Sequence, residues 1–182
     1  INTSTAPIIY SKGSSILRVV QGYIGKDDLR KGLQHYLKTF EYKTAASHHL
    51  WEALEETSGK PVTALMKSWI EQPGHPLVQA QRNGRDLTLT QKRFTYLENT
   101  SNQTWQIPVT LSVYDETGDS RTISILLEET STQIDLGAAC VAYKVNAGQT
   151  GFYRVAYRTP RDLAAIGQRA AGKDLSPEDR WG

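Results

Sequence analysis

The stretch WIEQPGHP, residues 69–76, separates two parts of the chain whose apolar residues repeat with different periods. Before it, apolar residues recur every three or four positions, which is the spacing of one face of an α-helix. After it, they alternate with polar residues, as in a half-buried β-strand. Pro73 and Gly74 end the helical pattern, because neither residue is easily held inside a helix. The sequence therefore predicts an α+β protein by segments, with helices first and an antiparallel β-sandwich after them.

Four helices are predicted before this stretch, and residues at their ends indicate where they begin and stop. The first starts near Tyr10 and stops at Gly25, because glycine is common just after a helix. The second follows Asp27 and Asp28, since the positive end of the helix dipole favours carboxylates. The apolar faces of these two helices consist of Ile16, Leu17, Val20, Tyr23 and Ile24, and of Leu29, Leu33, Leu37 and Phe40.

The third and fourth helices have similar signals. Ser47 is the predicted N-cap of the third helix, which ends at Gly59. Pro61 suits the first turn of the fourth, where a missing backbone N–H does no harm. Their apolar stripes consist of Leu50, Trp51 and Leu54, and of Val62, Leu65, Met66, Trp69 and Ile70.

The later part of the chain predicts short strands joined by turns. Asn83-Gly84, between Leu77–Arg82 and Arg85–Gln91, is the pattern of a two-residue type I′ hairpin. Further alternating sets are Trp105, Ile107, Val109, Leu111 and Val113; Ile123, Ile125 and Leu127; Val141, Tyr143 and Val145; and Tyr153, Val155 and Tyr157. Several short strands over about 100 residues are typical of an antiparallel sandwich.

A helical pattern returns after Pro160, with Leu163, Ile166 and Ala170 on one face. A further helix is predicted to begin with Ser176 as its N-cap. The predicted organisation is a helical segment 1–74, a sandwich 75–158 and the start of another helical domain 159–182. Because both ends of the sequence lie beside predicted helices, we expect the chain to be a piece of a larger protein.

Composition excludes several classes of function. The net charge is +2, so no basic surface for nucleic acid is predicted. No run of about 18 apolar residues is present to span a membrane. Cys140 is the single cysteine, which rules out an internal disulfide or a thiolate zinc site and suits a small buried residue. The lone cysteine and the lack of a signal peptide favour a cytoplasmic location.

The chain lacks a complete catalytic set of its own. His-Glu-x-x-His and Gly-x-Ser-x-Gly are absent. His48 and His49 are adjacent, so on a helix they point about 100° apart and do not chelate as an i, i+4 pair does. The segment Gly148–Gly151 precedes a strand and has no lysine, unlike a phosphate-binding loop. The acidic pairs Glu55-Glu56 and Glu128-Glu129 suit solvated faces.

Tyr10 is the one candidate catalytic residue. It stands where an apolar stripe begins, at the predicted start of a helix. A tyrosine hydroxyl donates a hydrogen bond at neutral pH, and beside a metal it could stabilise a developing oxyanion. The residues alone leave two interpretations open: a tyrosine that packs at a helix start, and a catalytic donor.

Several segments, in order, resemble the zinc aminopeptidases of the aminopeptidase N family, also called M1 or gluzincins. The segment Tyr10–Gly13, followed by a small residue, is similar to the Tyr-x-Lys-Gly-Ala motif of that family. The other similar segments are 40–54, SGKPV at 58–62, WIEQPGHP at 69–76, QKRF at 91–94, WQIPV at 105–109, NAGQTGFYRV at 146–155 and LSPEDR at 175–180. Each motif alone is weak, but together they cover nearly the whole chain.

The resemblance implies that residues 1–74 are the end of a thermolysin-like catalytic domain. It implies zinc in the full-length enzyme, held by residues upstream of Ile1, with none bound by this piece. It also implies that Tyr10 donates its hydroxyl to the tetrahedral oxyanion. Ser14 stands where the family usually has alanine, and a small residue is kept.

The implied reaction of the whole enzyme is removal of N-terminal residues from peptides, and the isolated piece is expected to be inactive. The helices would lack packing partners from the remaining domains, which predicts an exposed apolar patch and self-association. Two other hypotheses stay open: a β-sandwich module that binds a partner or a sugar, and a spacer that sets the angle between neighbouring domains.

Overall fold

A computed structural model of the protein describes Thr5 and residues 7–97 and 101–181. The chain divides into two compact units, Ile1–Pro73 and Gly74–Gly182. The boundary lies within the stretch where the apolar period changes. Each unit has its own elements and core.

The first unit is entirely helical in its described elements. A π-helical turn, Pro7–Lys12, leads into α1 at Gly13–Ile24, and α2 follows at Lys26–Thr39. Helix α3 covers Ser47–Ser58 and α4 covers Val62–Ile70. Their buried residues are Ile16, Val19, Val20, Ile24, Trp51, Ala53, Leu54, Val62, Leu65, Met66 and Trp69. Within the described residues, no helix is long and apolar enough to span a membrane.

Helix α2 packs through a glycine rather than through its leucine stripe. Gly32 is its buried residue, while Leu33 and Leu37 are exposed. A Cβ atom at Gly32 would lie 2.6 Å from Leu54 Cδ2 and 2.8 Å from Thr57 Oγ1. The absence of a side chain lets α2 approach α3 closely. Part of the predicted stripe therefore stays on the surface of the chain.

Two predicted helix starts differ from the structure. The first helix does not begin near Tyr10, because a wider π turn precedes α1. In α3, Ala46 is the N-cap and Ser47 is the first helical residue. His49 Nδ1 accepts the Ala46 N–H at 3.0 Å. A histidine side chain thus satisfies the backbone group before the helix, so the serine hydroxyl is not needed as the cap.

The second unit contains two sheets and two helices. The strands are β1 at Pro76–Asn83, β2 at Asp86–Arg93, β3 at Ile107–Tyr114, β4 at Ser120–Leu127, β5 at Ser131–Asp135, β6 at Ala142–Val145 and β7 at Arg154–Tyr157. The sheet orders are β5-β2-β1-β7 and β4-β3-β6. A short 3-10 turn, Ala147–Gln149, lies between β6 and β7, and α5 at Pro160–Gly172 and α6 at Pro177–Trp181 follow.

These elements confirm the predicted α+β class by segments, with helices first and sheets after them. One pairing departs from an antiparallel sandwich, because β7 runs parallel to β1 and makes the four-stranded sheet mixed. Alternation of apolar residues indicates which face of a strand is buried and carries no information about the direction of its neighbour. Strand β5 is not among the predicted strands, because Ile134 is its one buried residue.

The first hairpin has a different turn from the one predicted. Asn83 pairs with Asp86, so the two loop residues are Gly84 and Arg85. Gly84 has a φ of 61°, and neither Asn83 nor Arg85 has a positive φ. A glycine with positive φ at the first loop position matches type II′, whereas type I′ needs positive φ at both positions.

A buried glutamine connects the two sheets of the second unit. Gln91 on β2 is 2% exposed. Its Nε2 donates to Trp105 O at 3.0 Å and to Glu129 O at 2.9 Å, and its Oε1 accepts the Trp105 N–H at 2.8 Å. One side chain therefore satisfies backbone groups at the start of β3 and after the end of β4.

The last two helices pack on this unit. Ile166 of α5 and Leu175 form a buried cluster with Tyr114 and Ala142. Leu163 is 56% exposed, so it does not share the buried face that the periodicity predicts. Ser176 caps α6 as predicted, because its Oγ accepts the Asp179 N–H at 3.2 Å. The predicted boundaries 75–158 and 159–182 stay predictions.

Candidate functional site

Tyr10 lies in the π-helical turn at the edge of an open groove in the first unit. Its side chain is 64% exposed. No hydrogen-bond partner of its hydroxyl is found among the described residues. The described residues of this chain do not bury Tyr10. Its catalytic role stays a prediction.

The groove beside Tyr10 is mainly apolar and has a volume of about 590 Å³. Trp51 of α3 and Met66 and Ile70 of α4 line it, together with Leu17 of α1. Leu17 and Ile70 are 45% and 50% exposed. Leu17 of α1 and Ile70 of α4 therefore expose apolar surface in the groove that Tyr10 also lines.

Two serine hydroxyls form hydrogen bonds to the turn that carries Tyr10. The hydroxyls of Ser14 and Ser15 donate to the carbonyl oxygen of Ser11, at 3.1 Å and 2.7 Å. Ser11 is the neighbour of Tyr10 and belongs to the π turn, whereas the two serines belong to the first turn of α1. The junction between the two kinds of helix thus has side-chain bonds across it.

The described residues do not provide a zinc site. No group of three or more His, Cys, Asp or Glu in the described ranges is placed to hold a metal ion. His49 accepts the Ala46 N–H through Nδ1, and its ring stacks on Phe40 with the centroids 4.4 Å apart. The two adjacent histidines are thus helix-start residues, one of them with a capping contact, in agreement with the sequence interpretation.

Cys140 is buried, as predicted for a small apolar residue. It is 7% exposed, and its Sγ lies 3.4 Å from Ala142 O. Burial raises the pKa of its thiol above the usual value, and nearby Arg82 partly opposes this shift. The thiolate needed for nucleophilic chemistry is therefore disfavoured at neutral pH.

Three tyrosines of the second unit have perturbed pKa values for structural reasons. Tyr143 donates its hydroxyl to Asp162 Oδ2 at 3.2 Å, and Tyr157 Oη accepts the Val145 N–H at 2.9 Å. Burial raises the pKa of Tyr157 to about 12. It also raises the pKa of Tyr143 and of Tyr153. These hydroxyls stay protonated and serve the packing of β6, β7 and α5.

A buried ion pair joins α6 to the second sheet. Lys144 Nζ lies 3.8 Å from Asp179 Oδ1, which also accepts the Gly148 N–H at 2.8 Å. Burial lowers the pKa of Lys144, whereas the charge of Asp179 raises it. Sequence reasoning missed this pair, because Asp179 appeared only as an acidic residue near a helix start.

Comparison with known proteins agrees with the resemblance. Residues 1–69 match the Peptidase family M1 domain. "Probable aminopeptidase 2" of Sulfurisphaera tokodaii is 41% identical over 96% of this chain and 21% of its own length. "Aminopeptidase M1" of Arabidopsis thaliana and "Puromycin-sensitive aminopeptidase" of Caenorhabditis elegans are each 35% identical over 96% of this chain.

The chain covers 21% of the Arabidopsis relative and 19% of the Caenorhabditis one. It therefore corresponds to about a fifth of the length of the curated relatives that it matches. Similarity extends beyond the first unit, since the matched 96% includes most of the two-sheet unit. The chain is thus a segment that belongs to peptidase family M1.

Proposed function

We propose that the whole protein of which this chain is a segment is an aminopeptidase that removes N-terminal residues from peptides, with Tyr10 as one of its catalytic residues. The observation that carries the proposal is the exposed hydroxyl of Tyr10 beside an open groove. That tyrosine lies within residues 1–69, which match the Peptidase family M1 domain.

The role of Tyr10 follows from the charge that develops during peptide hydrolysis. Attack on the scissile carbonyl places negative charge on its oxygen. A donor already aimed at that oxygen stabilises the transition state more than the ground state, which raises kcat. The Tyr10 hydroxyl can act as such a donor without first breaking a hydrogen bond to the described residues.

The groove suggests where the substrate or the rest of the protein contacts this unit. Its lining by Trp51, Met66 and Ile70 offers apolar surface and few polar groups. Apolar contacts in a groove can hold a peptide near the reacting group. We assign to these side chains a packing role around Tyr10 and no part in proton transfer.

The family resemblance implies a zinc ion in the whole enzyme. The described residues do not fit one, because they form no group of ligands. We propose that the zinc ligands lie in another part of the protein and that this chain supplies the oxyanion donor alone.

The isolated chain is therefore expected to be inactive. Purified protein should not hydrolyse an aminoacyl chromogenic substrate, and elemental analysis should find less than one zinc per chain. Stoichiometric tight zinc would contradict the proposal that the ligands lie elsewhere. A full-length coding sequence without a His-Glu-x-x-His motif would favour instead a non-catalytic interaction or spacer module.

The decisive test is Tyr10→Phe in the full-length enzyme. Removal of one oxyanion donor lowers kcat by about 10²–10³-fold, and KM should change little because the bond forms in the transition state. Tyr42→Phe is the matched control, since Tyr42 is fully exposed at 100% and lies outside the groove. Steady-state kinetics with a normal kcat for Tyr10→Phe would remove the tyrosine from the mechanism.

A further inference from the structure

The π-helical turn sets the direction of the Tyr10 side chain. In a π turn the backbone bonds reach from residue i to i+5, so the turn holds one more residue than an α turn. Side chains before the junction consequently point in other directions than they would in a continuous α-helix. Tyr10 lies inside this turn, two residues before the junction at Lys12 and Gly13.

The bonds across the junction come from serine hydroxyls. Ser15 Oγ lies 2.7 Å from the Ser11 carbonyl oxygen, and Ser14 Oγ lies 3.1 Å from the same atom. Serine hydroxyls that bond backward to a carbonyl three or four residues earlier compete with the regular backbone pattern and bend helices. Here two of them converge on the residue next to Tyr10.

The junction between the π turn and α1 is open at Gly13. A Cβ atom added at Gly13 would meet nothing within 4 Å, so the junction is open on that side. Ser14 is exposed and Ser15 is half-buried. Their hydroxyls therefore act through directional bonds rather than through packing.

We propose that Ser15, together with Ser14, is a positioning residue that holds Tyr10 toward the groove by fixing the π turn through the Ser11 carbonyl. The inference rests on the proposed function of Tyr10. It adds two residues that act on the reaction through the position of Tyr10.

The test uses the full-length enzyme with Ser14→Ala and Ser15→Ala combined. A donor moved by a fraction of an ångström loses much of its effect, so kcat should fall about tenfold while KM stays within about twofold. Ser58→Ala is the matched control, because Ser58 Oγ makes the same kind of bond to Leu54 O at 2.6 Å in α3. This control should leave kcat unchanged.

Two further variants separate positioning from a general loss of structure. With Tyr10→Phe already present, the double serine change should lower kcat no further, since the group that it positions is gone. Ser14→Ala combined with Ser15→Thr should restore most of the activity, because a threonine hydroxyl can also bond to the carbonyl four residues earlier. Circular dichroism should show equal helix content in all variants.

The outcomes distinguish this inference from the proposed function. If Tyr10→Phe lowers kcat and the double serine change does not, the positioning role is wrong and the aminopeptidase proposal stands. An equal loss with and without Tyr10→Phe, or an equal loss with threonine and alanine at position 15, also overturns the positioning role. A silent Tyr10→Phe overturns both.

Discussion

The two units of this chain bury different kinds of residue. In the first unit, the buried side chains of the described helices are all apolar. The second unit also buries polar and charged groups, namely Gln91, Lys144, Asn146, Asp162 and Asp179. Each of these makes hydrogen bonds or an ion pair within the second unit.

The surfaces of the units differ in a related way. On the first unit, the exposed apolar side chains lie on helices, where Leu17, Leu37 and Ile70 are 45%, 65% and 50% exposed. On the second unit, the exposed apolar side chains lie outside the strands, as with Tyr96, Leu163 and Trp181 at 89%, 56% and 93%, whereas inward-facing strand residues such as Val78 and Leu111 are fully buried. Hydrogen bonds and ion pairs depend on direction, so they specify one arrangement of a core. The hydrophobic effect has no direction, so an apolar face can pack against any apolar partner. The comparison indicates that the strands of the second unit cover their apolar side chains, whereas the helices of the first unit leave part of theirs exposed.

The strongest test of this difference is Gln91→Leu. The change should lower the free energy of unfolding of the second unit by about 2–4 kcal/mol, because it removes the buried hydrogen bonds that Gln91 makes to the backbone of Trp105. Gln81→Leu on the neighbouring strand is the control and should stay within about 0.5 kcal/mol, since Gln81 is exposed. Urea unfolding followed by tryptophan fluorescence measures both. If both variants change the free energy of unfolding by the same small amount, the hydrogen bonds of Gln91 do not stabilise this unit.

Two glycine-to-alanine substitutions should change the stability of the two units in opposite directions. Gly32→Ala in the first unit should destabilise by about 1–2 kcal/mol, because its Cβ would overlap Leu54. Gly167→Ala in α5 should stabilise the second unit by about 0.5–1 kcal/mol, since nothing lies within 4 Å of the added atom and alanine favours helix. Thermal unfolding of both variants should shift in opposite directions. A stabilising Gly32→Ala would mean that α2 does not approach α3 so closely.

Sequence reasoning predicted the elements whose ends are fixed locally. Gly59, in a left-handed conformation, ends α3 as predicted, and Ser176 caps α6. Helix α4 ends at Ile70, just before the predicted stop at Pro73 and Gly74. Such features depend on one residue and its immediate neighbours, so a sequence pattern suffices to find them.

Features that depend on distant partners were missed. The parallel pairing of β7 with β1 joins residues more than 70 positions apart, and alternation does not report it. The exposure of Leu37 and Leu163 depends on what packs against each helix, not on its own period. The same distinction holds for the candidate site. The motif at Tyr10–Gly13 indicates the tyrosine, whereas the π turn and the hydrogen bonds to the Ser11 carbonyl are visible only in the structure.

The last expected effect concerns self-association of the isolated chain. Leu37 and Ile70 present apolar surface that another copy can cover, so the chain should form oligomers whose mass rises with concentration in sedimentation experiments. Leu37→Lys combined with Ile70→Lys should weaken this association about tenfold, because a lysine at either site would have to be buried in the contact. Leu163→Lys is the matched control on the second unit, where Leu163 is 56% exposed. If Leu163→Lys weakens association as much as the double change does, the surface through which the chains associate belongs to the second unit. The exposed apolar helix faces of the first unit would then not be what drives the association.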